Sequence, residues 1–191
     1  LGAHGPSPAC ILPIEKELFA ARQRAEELRR QGKRLIAINP VARWKTKLWP
    51  ERKFAELADR LIAERSAAVV FTGSPDDRPV VERIRGMMKG RAENRAGETT
   101  LKELAALAAV SDLFITTDTG PMHLAAAAGA KVLALFGPTA PWRTGPYGSS
   151  HIVVRKGLAC SPCFKRTCDA DIRCMEEIAV EEVMGKIPKA K

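Results

Sequence analysis

Phe114-Ile-Thr-Thr-Asp-Thr-Gly-Pro-Met-His-Leu-Ala-Ala-Ala-Ala-Gly129 decides the fold. The apolar run Leu113 to Ile115 reads as a buried strand, ended by Thr116, Thr117, Asp118, Thr119 and Gly120. A helix follows. Pro121 suits the first helical position, where its missing N–H would have had no partner. Asp118 or Thr119 is placed to accept hydrogen bonds from the first free N–H groups. Small residues, Ala125 to Ala128, carry the helix to a stop at Gly129. A strand that turns through a tight polar loop into a close-packed helix is an anion cradle. The exposed N–H groups and the positive end of the helix dipole face whatever binds there.

Working outward, strands alternate with helices. Ile14 to Gln31 has apolar residues at helical spacing and meets Gly32. Leu35 to Ile38 is a strand stopped by Asn39-Pro40, and a basic loop runs from Val41 to Leu48. Pro50 opens a helix through Ala63, with Phe54, Leu57, Ala58, Leu61 and Ile62 on one face. Ala67 to Phe71 is a strand, Gly73-Ser74-Pro75 a turn, and Asp76 to Met88 a helix. A weak strand is expected at Glu93 to Arg95. Thr100-Leu-Lys-Glu103 is a capping box for a helix to Val110. Val132 to Phe136 is a further strand. Beyond Gly137 the chain is irregular, with one more strand at Ile152 to Val154, a cysteine-rich loop and a last helix from Val180 to Ile187.

This alternation predicts an α/β fold, a Rossmann-like parallel sheet with helices on both faces. Short continuous apolar strands are what a sheet covered on both sides requires. Ligands of such sheets bind beyond the carboxyl ends of the strands. Asn39 to Leu48, Thr72 to Asp77, Thr116 to Gly120 and Gly137 to Tyr147 all fall on that edge. None carries G-x-G-x-x-G or a P-loop, which disfavours a dinucleotide oxidoreductase or an NTPase.

The chain has 191 residues, 46% hydrophobic and 28% charged, as expected of a soluble globular domain with a sizeable core. No run is long enough to cross a bilayer. Leu1 to Pro13, rich in Pro and Gly without a basic n-region, reads as a linker rather than a signal peptide. Residues 14–191 are then one domain, expected to be the C-terminal part of a larger protein. The net charge of +9 points to nucleic acid, an anionic membrane surface or a phosphorylated substrate. Aromatics are 5%, too few for the stacking platforms of a single-strand nucleic-acid binder.

Three segments carry a family resemblance: Lys47-Leu-Trp-Pro50, Asp118-Thr-Gly-Pro-Met-His-Leu-Ala-Ala-Ala127, and Leu135-Phe-Gly-Pro-Thr139 followed by Gly145-Pro-Tyr-Gly148. In order and spacing they resemble the ADP-heptose–lipopolysaccharide heptosyltransferases, glycosyltransferase family nine, over roughly Leu35 to Ile187. The resemblance implies a B-type glycosyltransferase of two Rossmann-like halves facing across a cleft. This chain is similar to the C-terminal half, which holds ADP-heptose. The lipid A–core acceptor and the catalytic base belong to the other half, so the isolated domain is not expected to turn over. Inverting transfer without a catalytic metal, a cytoplasmic location and peripheral contact with the inner face of the inner membrane are further implications.

Residue by residue, Asp118, Thr119 and Gly120 resemble the family's diphosphate-binding turn, with the N–H groups of Thr119, Gly120 and Met122 as phosphate donors. Asp118 is expected to shape the turn, because a carboxylate repels phosphate. His123 is read as a neutral donor to diphosphate or sugar, or as a packed histidine. Lys47 matches the lysine that stabilises leaving-group charge on ADP, with Lys45 and Arg43 as neighbours. Trp49 reads as core. Gly73, Ser74, Asp76 and Asp77 are candidates for the ribose or for helix capping. Glu98, Thr99, Leu101 and Leu104 are loosely placed near the adenine. Gly137, Pro138 and Thr139 are candidates for the sugar or for a turn.

Cys160-x2-Cys163-x4-Cys168-x5-Cys174 suits a closed structural zinc site, with disulfides and free thiols as rival readings. Cys10 stands apart in the linker. Two further functions stay open. One is another B-type transferase or a nucleotide-sugar epimerase; the other is a zinc-stapled nucleic-acid-binding module. The favoured reading has no nucleic-acid partner.

Overall fold

The computed structural model describes residues 12–169 and 171–189. Most of the linker expected at Leu1 to Pro13, with Cys10, lies outside them. Six strands form one sheet: β1 (Arg34–Asn39), β2 (Ala67–Phe71), β3 (Glu93–Asn94), β4 (Leu113–Thr117), β5 (Val132–Phe136) and β6 (Ile152–Arg155). Their order is β3-β2-β1-β4-β5-β6, and every pairing is parallel. The helices are α1 (Glu15–Arg30), α2 (Glu51–Arg65), α3 (Arg78–Met87), α4 (Leu101–Val110), α5 (Gly120–Ala127), α6 (Pro141–Thr144), α7 (Arg173–Glu176) and α8 (Val180–Lys186).

Alternate residues of each strand serve opposite faces. Ile36 and Ile38 pack with Phe54, Leu57 and Leu61 of α2, Ile84 of α3, and Val183 of α8. Ala37 joins Phe114, Val132 and Phe136 against Leu104 and Ala108 of α4 and Met122 and Ala125 of α5. Leu35 and Val70 meet Ala25 and Leu28 of α1. Each buried Leu, Ile or Phe removes apolar surface worth roughly 1.5–3 kcal/mol from water. Trp49 is core, as expected. Its Nε1 donates to Ile178 O over 3.0 Å and its ring meets Phe54 edge-on at 4.9 Å.

The expected capping box forms. Glu103 Oε2 accepts from Thr100 N at 2.8 Å, and Thr100 Oγ1 accepts from Glu103 N at 3.3 Å. Other boundaries differ from expectation. Residues 75–77 are a 3-10 turn, and α3 starts at Arg78. β4 runs through Thr116 and Thr117, both fully buried. Threonine is tolerated there because its branched carbon packs on the pleat while its hydroxyl finds a carbonyl, Val41 O in the case of Thr117. The single-turn helices α6 and α7 were not legible, since four residues show no periodicity. Among the described residues no helix is long and apolar enough to cross a membrane.

Candidate functional site

The order 3-2-1-4-5-6 puts a topological switch between β1 and β4. Chain connections leave the sheet in opposite directions on either side of it, which opens a crevice at the carboxyl ends. A cleft of about 620 Å³ lies there, lined by Asn39, Arg43, Gly73, Asp77, Leu104 and Thr119 among others. Three of the four expected loops thus converge.

Beside this cleft stands a largely buried ion pair. Lys47 Nζ donates to Asp118 Oδ2 at 2.7 Å, with the two side chains 16% and 5% exposed. The same oxygen accepts from Thr139 Oγ1 at 2.6 Å and from Thr144 Oγ1 at 3.4 Å. Lys47 Nζ also lies 4.5 Å from the centre of the Trp44 ring, which Arg166 shares at 4.9 Å. A 3-10 turn at Lys45–Lys47 presents the lysine, and Thr46 Oγ1 anchors that turn to Lys165 O at 2.9 Å. The pair therefore joins the loops after β1, β4 and β5.

The Asp118 carboxylate is spent on this network and does not cap α5, contrary to one expectation. Thr119 occupies the cap position without a side-chain cap bond. Its carboxylate ties the turn to Lys47, Thr139 and Thr144. Met122 is corrected: its N–H donates to Thr119 O at 3.1 Å and its side chain is in the core. The N–H groups of Thr119 and Gly120 remain as the open donors at the head of α5, among the described residues. His123 is exposed on the first turn of α5, so the packed-histidine reading falls.

Thr139 is buried and holds Asp118, so its hydroxyl is not presented to a sugar. Gly137 and Pro138 anchor the cysteine loop: Ser161 Oγ donates to Gly137 O, and the N–H groups of Cys163 and Phe164 donate to Pro138 O. Asp77 Oδ2 accepts from Ser74 N at 2.8 Å and Ser74 Oγ at 2.6 Å, the capping role. Gly73 is needed there, since a Cβ would stand 2.8 Å from Asp77 Cβ. Asp76 is exposed. Glu98 pairs with Arg78 at 2.9 Å, which holds its carboxyl below the usual range. Thr99, Leu101 and Leu104 line the cleft. Arg43 lines it too, whereas Lys45 is exposed outside its wall.

Cys160, Cys163, Cys168 and Cys174 line one small cavity of about 60 Å³ next to Thr46 and Pro138. Cys160, Cys163 and Cys174 are free thiols, so no disulfide joins them. Burial first, then the three neighbouring cysteines, push the Cys174 thiol above its ordinary range. Among the described residues no three His, Cys, Asp or Glu side chains are grouped so as to hold a metal ion.

Sequence reasoning missed Asn39, Trp44 and Thr144. Asn39 read as the residue that stops a strand before a proline and opens an edge loop, with no task of its own. Thr144 belongs to a helix too short to see.

The model of glycosyltransferase family 9 (heptosyltransferase) matches residues 10–172. The chain is 32% identical over 161 residues to lipooligosaccharide heptosyltransferase 2 of Campylobacter jejuni, covering 81% of this chain and 50% of that protein. It is 26% identical to the solved ADP-heptose lipopolysaccharide heptosyltransferase II of E. coli, with a TM-score of 0.72 over 94% of this chain and 53% of the other. The E. coli heptosyltransferase WaaC solved with ADP shares the fold at 20% identity and a TM-score of 0.63, over 84% of this chain and 47% of that one. The chain spans about half the length of the curated relatives it matches.

Proposed function

Since this chain belongs to glycosyltransferase family 9, the heptosyltransferases, we propose that it is the nucleotide-sugar-binding domain of an enzyme that moves heptose from ADP-heptose to the lipopolysaccharide inner core. The observation that carries the reading is the Lys47–Asp118 pair set beside the open N–H groups of Thr119 and Gly120. An ammonium has three N–H donors; one goes to Asp118 and two stay available to diphosphate oxygens. Helix N-termini bind such anions. The relative solved with ADP supports adenine nucleotide as the ligand class.

In this reading residues 14–191 hold the donor, and residues 1–13 link to a half that binds the lipid A–core acceptor and supplies the base. The acceptor hydroxyl attacks the anomeric carbon, the C–O bond to the diphosphate breaks, and ADP leaves with inversion. Lys47 and the head of α5 stabilise the charge that develops on the leaving phosphate, a large term in such transfers. His123, exposed on the first turn of α5, is a donor to diphosphate or sugar. Thr139 contributes by fixing Asp118, and Gly73 and Asp77 by shaping the cleft wall. The family match leaves an epimerase or a nucleic-acid module without support. The net charge of +9 supports cytoplasmic work against the anionic inner face of the membrane.

Structural zinc at Cys160, Cys163, Cys168 and Cys174 belongs to the same proposal. All four line one cavity, but no three of them stand grouped as metal ligands, so an ion would have to draw the side chains together. Metal analysis of protein purified without chelator should return one zinc per chain; metal-free protein with titratable thiols removes the site.

Thermal-shift measurements with ADP, UDP and GDP test the donor. ADP should raise the melting temperature most. Stabilisation by UDP alone, or by none of the three, refutes the reading.

A further inference from the structure

Asn39 ends β1 directly at the switch between β1 and β4, opposite Thr116. It is 2% exposed, yet it lines the 620 Å³ cleft. Its Nδ2 turns toward β2, with Thr72 O at 3.3 Å and Thr72 Oγ1 at 3.4 Å. Its Oδ1 is buried and has no hydrogen-bond partner. Turning the amide over would set the oxygen against the Thr72 carbonyl at 3.3 Å, with only the Thr72 hydroxyl at 3.4 Å as a donor, and would leave the buried Nδ2 without a partner instead. A buried carbonyl oxygen without a donor is costly and uncommon in a folded protein. Because Asn39 lines the crevice, a small turn of its side chain would bring this oxygen to a donor seated there.

We propose that Asn39 is a specificity residue for the nucleotide, its Oδ1 accepting a hydrogen bond from an O–H or N–H group of the nucleoside. This rests on the donor reading above. The chemistry selects the nucleoside over the diphosphate. An amide oxygen repels an ionised phosphate oxygen, whereas a ribose hydroxyl or the adenine amino group supplies the proton that is missing. The position fits, since Lys47 and the head of α5 serve the anion while Asn39 faces the cleft that Gly73, Asp77 and Leu104 complete. An unmet acceptor also discriminates: a ligand without the donor leaves the oxygen buried and unpaired.

The test measures affinity for ADP, 2′-deoxy-ADP, 3′-deoxy-ADP and inosine diphosphate, using the wild-type chain and Asn39→Leu. One analogue should bind the wild type about tenfold more weakly than ADP, the worth of one neutral hydrogen bond. Asn39→Leu should lose the same factor for ADP and nothing further for that analogue. The analogue that behaves so identifies the group. Equal binding of all four ligands by the wild type overturns the inference, even if the leucine variant fails to fold. A folded leucine variant with wild-type ADP affinity overturns it as well. A wild type that binds none of the ligands refutes the donor reading and this inference with it.

Discussion

Lys47 Nζ and Asp118 Oδ2 lie 2.7 Å apart although the residues are 71 positions apart in the chain. The contact closes the loop after β1 onto the loop after β4, across the switch point of the sheet. Both groups are largely withdrawn from water, so each depends on the other. The carboxylate holds the lysine between itself and the Trp44 ring. The lysine, with Thr139 and Thr144, fixes the orientation of the carboxylate.

Removing one partner should therefore cost more than removing both. Lys47→Met leaves Asp118 buried with two hydroxyl donors and should destabilise by about 2–3 kcal/mol. Asp118→Asn keeps the acceptor for Thr139 and should cost less. Denaturant unfolding of both single variants and the double should give a coupling of about 1–3 kcal/mol. Additive effects would show that the pair contributes nothing.

Gly137→Ala tests how closely the end of β5 meets α7. A Cβ at Gly137 would stand 2.6 Å from Met175 Cγ and Sδ and 3.0 Å from Cys174 Sγ. Met175 is fully buried. The substitution should cost about 1–3 kcal/mol by overpacking. An unchanged unfolding midpoint would mean that α7 yields freely.

Acid should weaken the fold through its hydrogen-bonded glutamates. The backbone N–H of Thr100, with its hydroxyl, holds the Glu103 carboxyl below its ordinary value of 4.5. The N–H of Ala179 and then Lys156 do the same for Glu182, and Arg78 does so for Glu98. Folded values below the unfolded value mean stability that is complete above pH 4.5 and is lost as pH falls through the folded values. Melting temperature should hold from pH 7 to about 5 and drop below about 4.5. Glu103→Gln should melt below the wild type at pH 7, and that gap should shrink toward pH 3. A gap independent of pH would exclude the ionised cap.

The thiols should differ in reactivity. Cys174 is buried and its thiol is pushed up, while Cys160 and Cys163 are exposed. The thiolate is the reacting form, so in metal-free protein Cys174 should be alkylated last by iodoacetamide at pH 8, followed by peptide mass spectrometry. Prior reaction at Cys174 would contradict its burial.

The sequence by itself determined the α/β class, the alternation of elements and the sheet edge at which the polar loops gather. Apolar runs such as Leu113 to Ile115 and caps such as Thr100 with Glu103 act within a few residues, so their physics is local and readable. It also singled out Lys47 and Asp118, though as separate residues with separate tasks. Only the tertiary structure joined them, spent Thr139 on Asp118, took Met122 into the core and left Asn39 with an unmet acceptor. These outcomes depend on which strands become neighbours. The crossovers that put β1 beside β4 bring Asn39 to the wall of the crevice and Lys47, Asp118 and Thr139 into one network beside it, and no local pattern records where their hydrogen bonds go. The cysteines mark the same division: their spacing is visible in the chain, while their gathering around one cavity comes from the anchoring of Cys163 and Phe164 to Pro138.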